Sequence, residues 1–556
     1  MRHIFQQKKV FCYLLMPLLV LSCTACNVRR PRRDPGADSA SAEPNIAHFL
    51  VAIEDEPDTV DFQCTSIHYT IAQNVFNRLV EMENDDDGEM QILPSLAKSW
   101  EISDDGITYT FHLQENVRFS NGNPLTSSDV QYTFTRLLTH PDSCNRDIVD
   151  GILGAEALIN NDTDTLEGLT IINDLDFTIT LEYPFQAFLA CLSMPGASIL
   201  DQETTEEAGD RFGTVPEWTI GTGSFVLWKW IPEEKMLLTA NPDCWLGPPK
   251  CEGLDLRFIT DSKEIRRMFE DGEIDVLDLD ELGNTAEFFL HGKIYQDRLF
   301  NVPRIGITYI ALNENIAPLN DVRVRKALQL SLNRAMLLTA VYSGRGSVEN
   351  GIFPHGLYGY NPDLPDIPYD LEEARRLLDE AGYPDNLDFT VSVNSASTRW
   401  EMSVLRLATF MWSKIGVRAK IEVLNESEFM RLRKSGQLAC YTALWSADFN
   451  DPDNFIYTFF GTSENTTFRS LCYNNTDVMD RIRLARTIVD PDERIREYQD
   501  LERIIVHEDA GWIPLYSRLR YYVTSERLRG IQASWNGSVK NKYREMSIVT
   551  DDQQEA

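Results

Sequence analysis

The sequence predicts a mixed α/β body built as lobes joined by a hinge. Two observations predict it. From Ile46 onward, short runs with alternating apolar residues take turns with runs of helical spacing, which suits mixed sheets covered by helices. No Pro/Ser-rich linker and no fixed-period repeat divides that body, so breaks between lobes fall at strand crossings rather than in a tether. The chain has 556 residues, 43% hydrophobic and 25% charged, enough to bury a large core and too many for a single domain.

The elements follow in chain order. "HFLVAIEDE", His48–Glu56, reads as an opening strand. "TIAQNVFNRLVEM" has helical spacing through Ile71, Val75, Leu79 and Met82. Ile107–Leu113 is strand-like, and "NGNP", Asn121–Pro124, is a turn. "LTSSDVQYTFTRLL" opens a helix with Thr126 or Ser127 as N-cap and Asp129 in its first turn. "LTIINDLDFTITLEYP" reads as two strands joined at Asn173-Asp174, and Leu254–Leu279 as strand, helix, strand. Val322–Tyr342 and Asp370–Gly382 carry helical patterns. Leu387–Ser395 and Val417–Asn425 read as strands on either side of a helix over Trp400–Gly416.

At the N-terminus, Arg2, Lys8 and Lys9 precede the apolar run Val10–Cys23, which is short and interrupted by Pro17. That is the pattern of a secretory signal rather than a spanning helix. No later stretch is apolar for about 18 residues. Val28–Asn45, rich in Pro, Ser, Ala and charge, reads as a flexible tether. Net charge is −34, which argues against a nucleic-acid partner, since phosphate binding needs a basic face. Beyond Cys12, Cys23 and Cys26 there are seven cysteines. Cys244 and Cys251 flank the turn-like "WLGPPK" and are a possible disulfide in an exported protein; an odd count leaves at least one thiol free or paired outside the chain.

Catalytic signatures are missing. There is no G-x-S-x-G elbow, no phosphate loop, no H-E-x-x-H pair and no Cys/His zinc spacing, so no catalytic residue, metal ligand or cofactor is expected. One stretch stands out. "LWSADFNDPDNF", Leu444–Phe455, holds three aspartates and a tryptophan with no basic residue among them. Asp451 and Asp453 around Pro452 suit turn and cap roles, and Asp448 suits either a cap or an acid awaiting a cation. A calcium loop is disfavoured because the alternating Asp spacing is absent and Phe459 stands at position twelve.

Five ordered blocks carry a resemblance. Ile92–Leu138, Ile220–Lys250, Tyr309–Arg334, "FPHGLYGYNP" and "YDLEEARRLLDEAGYP" are together similar to the family 5 extracellular solute-binding proteins, the peptide, dipeptide and nickel receptors of ABC importers. The resemblance implies a two-lobed periplasmic-binding-protein-like fold (type II, cluster C) with an extra subdomain and a hinge. Its implied layout is a signal peptide over 1–25, a lipid-anchored tether over 26–45, and lobe I over 46–93, 217–300 and 512–549. The extra subdomain covers 94–216 and lobe II covers 301–511. The segment "VLSCTACN" resembles a lipobox, with Cys26 (or Cys23) as the lipidated residue.

The resemblance also implies a site. Trp445-Ser446-Ala447-Asp448 matches the Trp-x-x-Asp motif of the peptide-binding branch, in which the Asp receives the peptide ammonium. Trp445 then forms a rigid wall, and main-chain groups around Ala443 to Ser446 pair with the peptide backbone as an added strand would. Arg399 lies where dipeptide receptors often place a basic residue for the carboxylate. Thr442 stands where an oligopeptide branch carries a basic residue, which leaves ligand length open. Thr222, in the Gly221–Gly223 run, and Tyr69, beside His68, are further candidates for the first-lobe wall. The expected protein is an extracytoplasmic, lipid-anchored monomer. It takes a short peptide and delivers it to an ABC permease with its ATPase subunits. Nickel, a metal chelate, another small solute or a sensing role without transport are the alternatives.

Overall fold

The structure is a computed structural model and describes residues 48–549 except 54–55, 66–67, 86–89, 283–284, 385 and 396–398. The lipidation candidates Cys23 and Cys26, the signal and the tether lie outside the described residues.

Ten strands form the main sheet among the described residues: β1 (His48–Ile53), β2 (Phe225–Ile231), β3 (Lys235–Ala240), β4 (Gly253–Phe258), β5 (Val276–Asp278), β6 (Leu299–Pro303), β7 (Gly306–Leu312), β8 (Gly346–Val348), β9 (Cys440–Ser446) and β10 (Trp512–Thr524). Their order is β9-β7-β10-β5-β1-β4-β3-β2, with β6 and β8 also paired to β10. Strands far apart in sequence are thus neighbours, as expected when one sheet serves two lobes.

β10 links the two ends of this sheet. Its first residues, Trp512–Tyr516, pair antiparallel with β7, while Leu519–Thr524 pair with β6 and β5. Ion pairs pin the crossover: Arg520 Nε donates to Asp278 at 2.7 Å and Arg304 to Asp280 at 3.0 Å. β7 is buried on both faces. Ile307, Tyr309 and Ala311 join one core with Trp512 and Phe459, while Ile310 and Leu312 join another with Trp412 and Val391. A strand buried on both sides reads as a continuous apolar run, and the sequence of β7 does so. A separate four-stranded sheet, including Ala97–Ile102 and Thr108–Leu113, carries its own aromatic core.

Two helical readings are corrected. The helix expected to reach Met82 ends after α1 (Thr70–Val75), because Val75 C=O accepts from Gly223 N–H at 2.8 Å instead of continuing the helical ladder. Met82 lies in the strand Val80–Asn84. The run Val322–Tyr342 is two helices, Val322–Leu330 and Arg334–Tyr342. Leu330 C=O is taken by Asp370 N–H at 2.8 Å, and the Asn333 side chain caps the second helix through Met336 N–H at 2.9 Å. The helix opened by Thr126 runs Ser127–Thr139, with the Asp129 carboxylate accepting from Thr126 N–H at 2.8 Å.

The proposed disulfide is also corrected. Cys244 and Cys251 are both buried free thiols. Cys251 Sγ donates to Tyr543 O at 3.7 Å, whereas Cys244 Sγ lies 3.8 Å from Ser224 Oγ. No described helix is long and apolar enough to cross a membrane.

Candidate functional site

β9 lies at one end of the sheet order and pairs with β7 alone, so its other edge carries no strand among the described residues. Its first three residues are buried, and Ala443, Leu444, Trp445 and Ser446 are half-buried. An edge strand with exposed main-chain groups is a template for an extended peptide. Trp445 packs edge-on against Phe459 at 5.2 Å between centroids, and its buried Nε1 has no hydrogen-bond partner. The Ser446 hydroxyl accepts from Arg304 Nε at 3.0 Å.

Asp448 follows the strand. Its main-chain N–H donates to Asn454 Oδ1 at 3.0 Å, and Asn454 Nδ2 donates back to its carboxylate at 3.1 Å. Among the described residues its carboxylate has this one neutral amide as hydrogen-bond partner and enters no ion pair. Asp448 is exposed by surface area, yet burial pushes its carboxyl up to about 6; the Asn454 hydrogen bond lowers it, Asp147 raises it and Arg469 lowers it. An acid that solvent reaches at its surface still loses hydration to the protein packed around it, which disfavours its charged form. Asp147 and Asp150 show the same combination: both are exposed, burial raises both, and Asp150 reaches about 6 with Asp147 adding to the rise and Arg486 opposing it. Tyr69 faces the same space. Its hydroxyl lies 2.9 Å from Thr65 O and 3.2 Å from Asn145 Oδ1, and burial raises it, with Cys144 and Asp448 adding to the rise.

The segment after Asp448 is braced by two buried acids. Asp451 receives Asp453 N–H at 2.8 Å, the expected turn, and a bidentate guanidinium from Arg494 at 2.8 and 2.7 Å. Asp453 accepts from Tyr498 OH at 2.9 Å and pairs with Arg486 Nε at 3.1 Å. Arg486 also reaches Tyr183 OH at 3.2 Å and lies over Phe185. Asn450 N–H points at Met82 Sδ at 3.3 Å, and Gln186 donates to Val489 O at 3.0 Å. These contacts close residues 449–489 onto residues 82–186. Beside them a cavity of about 240 Å³, lined by Met90, Ile92, Leu189, Tyr358 and Arg494, adjoins Asp451 without reaching Asp448.

Among the described residues no group of three or more His, Cys, Asp or Glu side chains is placed to hold a metal ion.

The model of the bacterial extracellular solute-binding proteins, family 5, matches residues 91–467. The chain belongs to this family. Family 5 proteins are substrate-binding receptors rather than enzymes. The chain is 29% identical to heme-binding protein A of Haemophilus influenzae, over 83% of this chain and 84% of that protein. It is 28% identical to the dipeptide-binding protein of Escherichia coli, over 78% and 82%. The structure of HbpA2 from Haemophilus parasuis superposes with a TM-score of 0.74 at 26% identity, covering 91% of this chain and all of that one. A Helicobacter pylori periplasmic binding protein, DppA with the peptide STSA, shares the two-lobed α/β fold at a TM-score of 0.73 and 24% identity, over 91% and 98% of the two chains.

Within that family 5 frame, the structure brings Asp448, Trp445, Ser446, Ala443 and Tyr69 to one region. It takes Thr222 out of it. Thr222 is fully buried, and its hydroxyl donates to Asn77 Oδ1 at 3.0 Å. Gly221 and Gly223 do bring backbone close, but to Val75: a Cβ on Gly221 would meet Val75 O at 2.0 Å. Arg399 begins the helix Arg399–Ser413, and its side chain lies outside the described residues. Asp147, Asp150, Asn454 and Arg469 were not found from the sequence. Only Asn454 lay within the singled-out stretch, and nothing in local spacing marks the others.

Proposed function

We propose that this family 5 receptor captures short peptides between its lobes and hands them to an ABC permease whose ATPase subunits drive import. The observation that carries the reading is Asp448: a carboxylate penalised by the protein packed around it, with no cation paired to it among the described residues, at the end of an edge strand whose outer side pairs with no described strand. A peptide supplies both missing partners, an ammonium for the acid and a main chain for the strand. Trp445 walls the site, with Ala443 and Ser446 on the pairing edge, Tyr69 opposite and Arg399 reserved for the carboxylate. The lobes close because ligand adds contacts in the closed form.

The layout of signal peptide, lipid-modified Cys26 (or Cys23), tether and lobes given above belongs to this reading, and the protein works as an anchored monomer outside the cytoplasm. Similarity to dipeptide- and di/tripeptide-binding proteins supports it. Haem, named for the first relative, is the second ligand class. Its two propionates would meet Asp147, Asp150 and Asp448, so these acids favour a cationic head group. Native mass spectrometry of the purified protein tests the proposal: peptide masses released on denaturation support it, and haem or a metal chelate as the released mass refutes it.

A further inference from the structure

Seven cysteines fall among the described residues, and five of them are buried. The two that solvent reaches are Cys64 and Cys144, and the fold sets them side by side. Cys144 N–H donates to Gln63 O at 3.0 Å, and Cys144 Sγ lies 3.7 Å from the same oxygen. Cys64 is the next residue. With standard backbone dimensions, this hydrogen bond keeps the Cα atoms of Cys64 and Cys144 within about 7 Å of each other, the span a disulfide can bridge.

Neighbouring contacts hold the two turns in register. Asn145 Nδ2 donates to Phe62 O and to Thr65 O, both at 2.8 Å, so the main chain on either side of Cys64 is tied to the residue after Cys144. From the helix Ser127–Thr139, Arg136 donates to the Asp61 carboxylate at 2.6 Å, and Thr133 O accepts from Gln63 Nε2 at 3.0 Å. A covalent bond here needs two side chains to turn, not two segments to move.

The sulfurs have different surroundings. Cys64 Sγ lies 3.3 Å from Asp61 Oδ2 and 3.3 Å from His140 Nδ1. Burial first, then the Asp61 carboxylate, push its thiol up to about 12, so it does not ionise unaided. His140 Nδ1 also accepts Asp142 N–H at 3.3 Å, which makes it the unprotonated nitrogen and a base beside Cys64. Burial raises the Cys144 thiol as well, yet Cys144 is the exposed one, and an oxidant reaches it first. Family 5 receptors work outside the cytoplasm, where thiols this close are oxidised rather than kept reduced.

We propose that Cys64 and Cys144 are a redox pair that closes to a disulfide, stapling the turn at Asp61–Thr65 to the turn that follows the helix Ser127–Thr139. The oxidant is itself a disulfide, carried by a small thiol or by a protein. The Cys144 thiolate attacks one of its sulfurs and expels the other, leaving a mixed disulfide on Cys144. Cys64 then gives its proton to His140 and attacks the Cys144 sulfur, expelling the second thiolate. The oxidant's S–S bond breaks and the Cys64–Cys144 bond forms. Two electrons pass to the oxidant, and the two cysteine protons end on the expelled thiolates.

Peptide mapping of the full chain under non-reducing conditions tests it. Reduced protein, freed of reductant, is incubated with glutathione disulfide, alkylated in denaturant and digested. Wild type, Cys64→Ser and Cys144→Ser are compared, with circular dichroism to confirm folding. The expected wild-type product is a linked pair of peptides carrying Cys64 and Cys144, with the five buried cysteines alkylated. Its melting temperature should lie a few degrees above that of the reduced protein. Cys64→Ser should hold glutathione on Cys144 about tenfold longer than the wild type, which lacks only the second attack in that variant. Cys144→Ser should take up glutathione on Cys64 about tenfold more slowly than Cys64→Ser does on Cys144. The wild-type arm needs no substitution, so it decides the bond whatever the variants do. Alkylation of both Cys64 and Cys144 after the incubation overturns the pair, as does a wild-type Cys144 that retains glutathione. Linked peptides formed after first uptake at Cys64 overturn the order of attack and support the bond.

Discussion

Arg494 grips Asp451 with both ends of its guanidinium, at 2.8 and 2.7 Å, and both side chains are buried. The pair fixes the segment that begins with Asp448 to the helix Pro491–Arg503. Removing one member of a buried pair strands the other charge, which costs about 3–5 kcal/mol. Arg494→Met is therefore expected to lower unfolding free energy by that amount in urea titrations. Arg494→Met combined with Asp451→Leu is expected to recover much of it, because no charge is then left buried. Equal losses in the single and double variants would show that the pair does not act as a unit.

Alternation of periods announced the α/β class, and the strand at Leu254, the helix capped by Asp261 and the strand at Val276 fell where spacing placed them. Failures came where a distant segment captured a backbone group. Gly223 takes the Val75 carbonyl and ends α1; Asp370 takes the Leu330 carbonyl and splits a helix. Apolar spacing carries no record of such long-range bonds. The site divides the same way. Trp445 to Asp448 could be singled out because they are contiguous, whereas Asp147, Asp150 and Arg469 come near Asp448 or one another only through folding. Thr222 was misplaced because a Gly-flanked hydroxyl looks the same in sequence whether it faces a ligand or Asn77.

Asp448→Asn is expected to weaken peptide binding at least tenfold, about 1.4 kcal/mol, in calorimetry. The pH dependence has a definite sign. The acid of the free protein titrates at about 6, with Asp147, Arg469 and Asn454 facing it. A bound ammonium favours the carboxylate and lowers that value in the complex, so binding releases a proton. Wild-type affinity should then fall as pH drops below 6, by up to tenfold per unit until the lower value of the complex is reached. The Asn variant lacks this step, and a wild-type affinity that is flat from pH 7 to 5 contradicts the assignment.

Thr222→Val separates structure from binding. The hydroxyl donates to Asn77 Oδ1, which also accepts from Trp245 Nε1 at 3.2 Å. Losing one buried hydrogen bond costs on the order of 1 kcal/mol. Melting temperature should fall modestly while peptide affinity stays within twofold. A large loss of affinity without a loss of stability would return Thr222 to the ligand wall.

Glu502 should make the fold sensitive to base. One carboxylate oxygen accepts from Ile352 N–H at 2.6 Å and Phe353 N–H at 2.8 Å, while the other is buried without a partner. A Cβ on Gly351 would sit 2.1 Å from the first oxygen, so the loop fits this one side chain closely. Burial pushes the acid up to about 8; the two main-chain donors lower it and Glu349 raises it. The native state therefore keeps a proton that the unfolded chain releases above its ordinary value of 4.5. The contribution to stability is complete below that value and declines as pH rises toward 8, at up to about 1.4 kcal/mol per pH unit. Glu502→Gln retains the acceptor and cannot ionise. Thermal melts of the two proteins should converge near pH 5 and separate progressively by pH 8, with the Gln variant the more stable at the alkaline end. Curves that stay parallel across that range would mean that Glu502 is ionised in the fold and that its second oxygen is satisfied from another source.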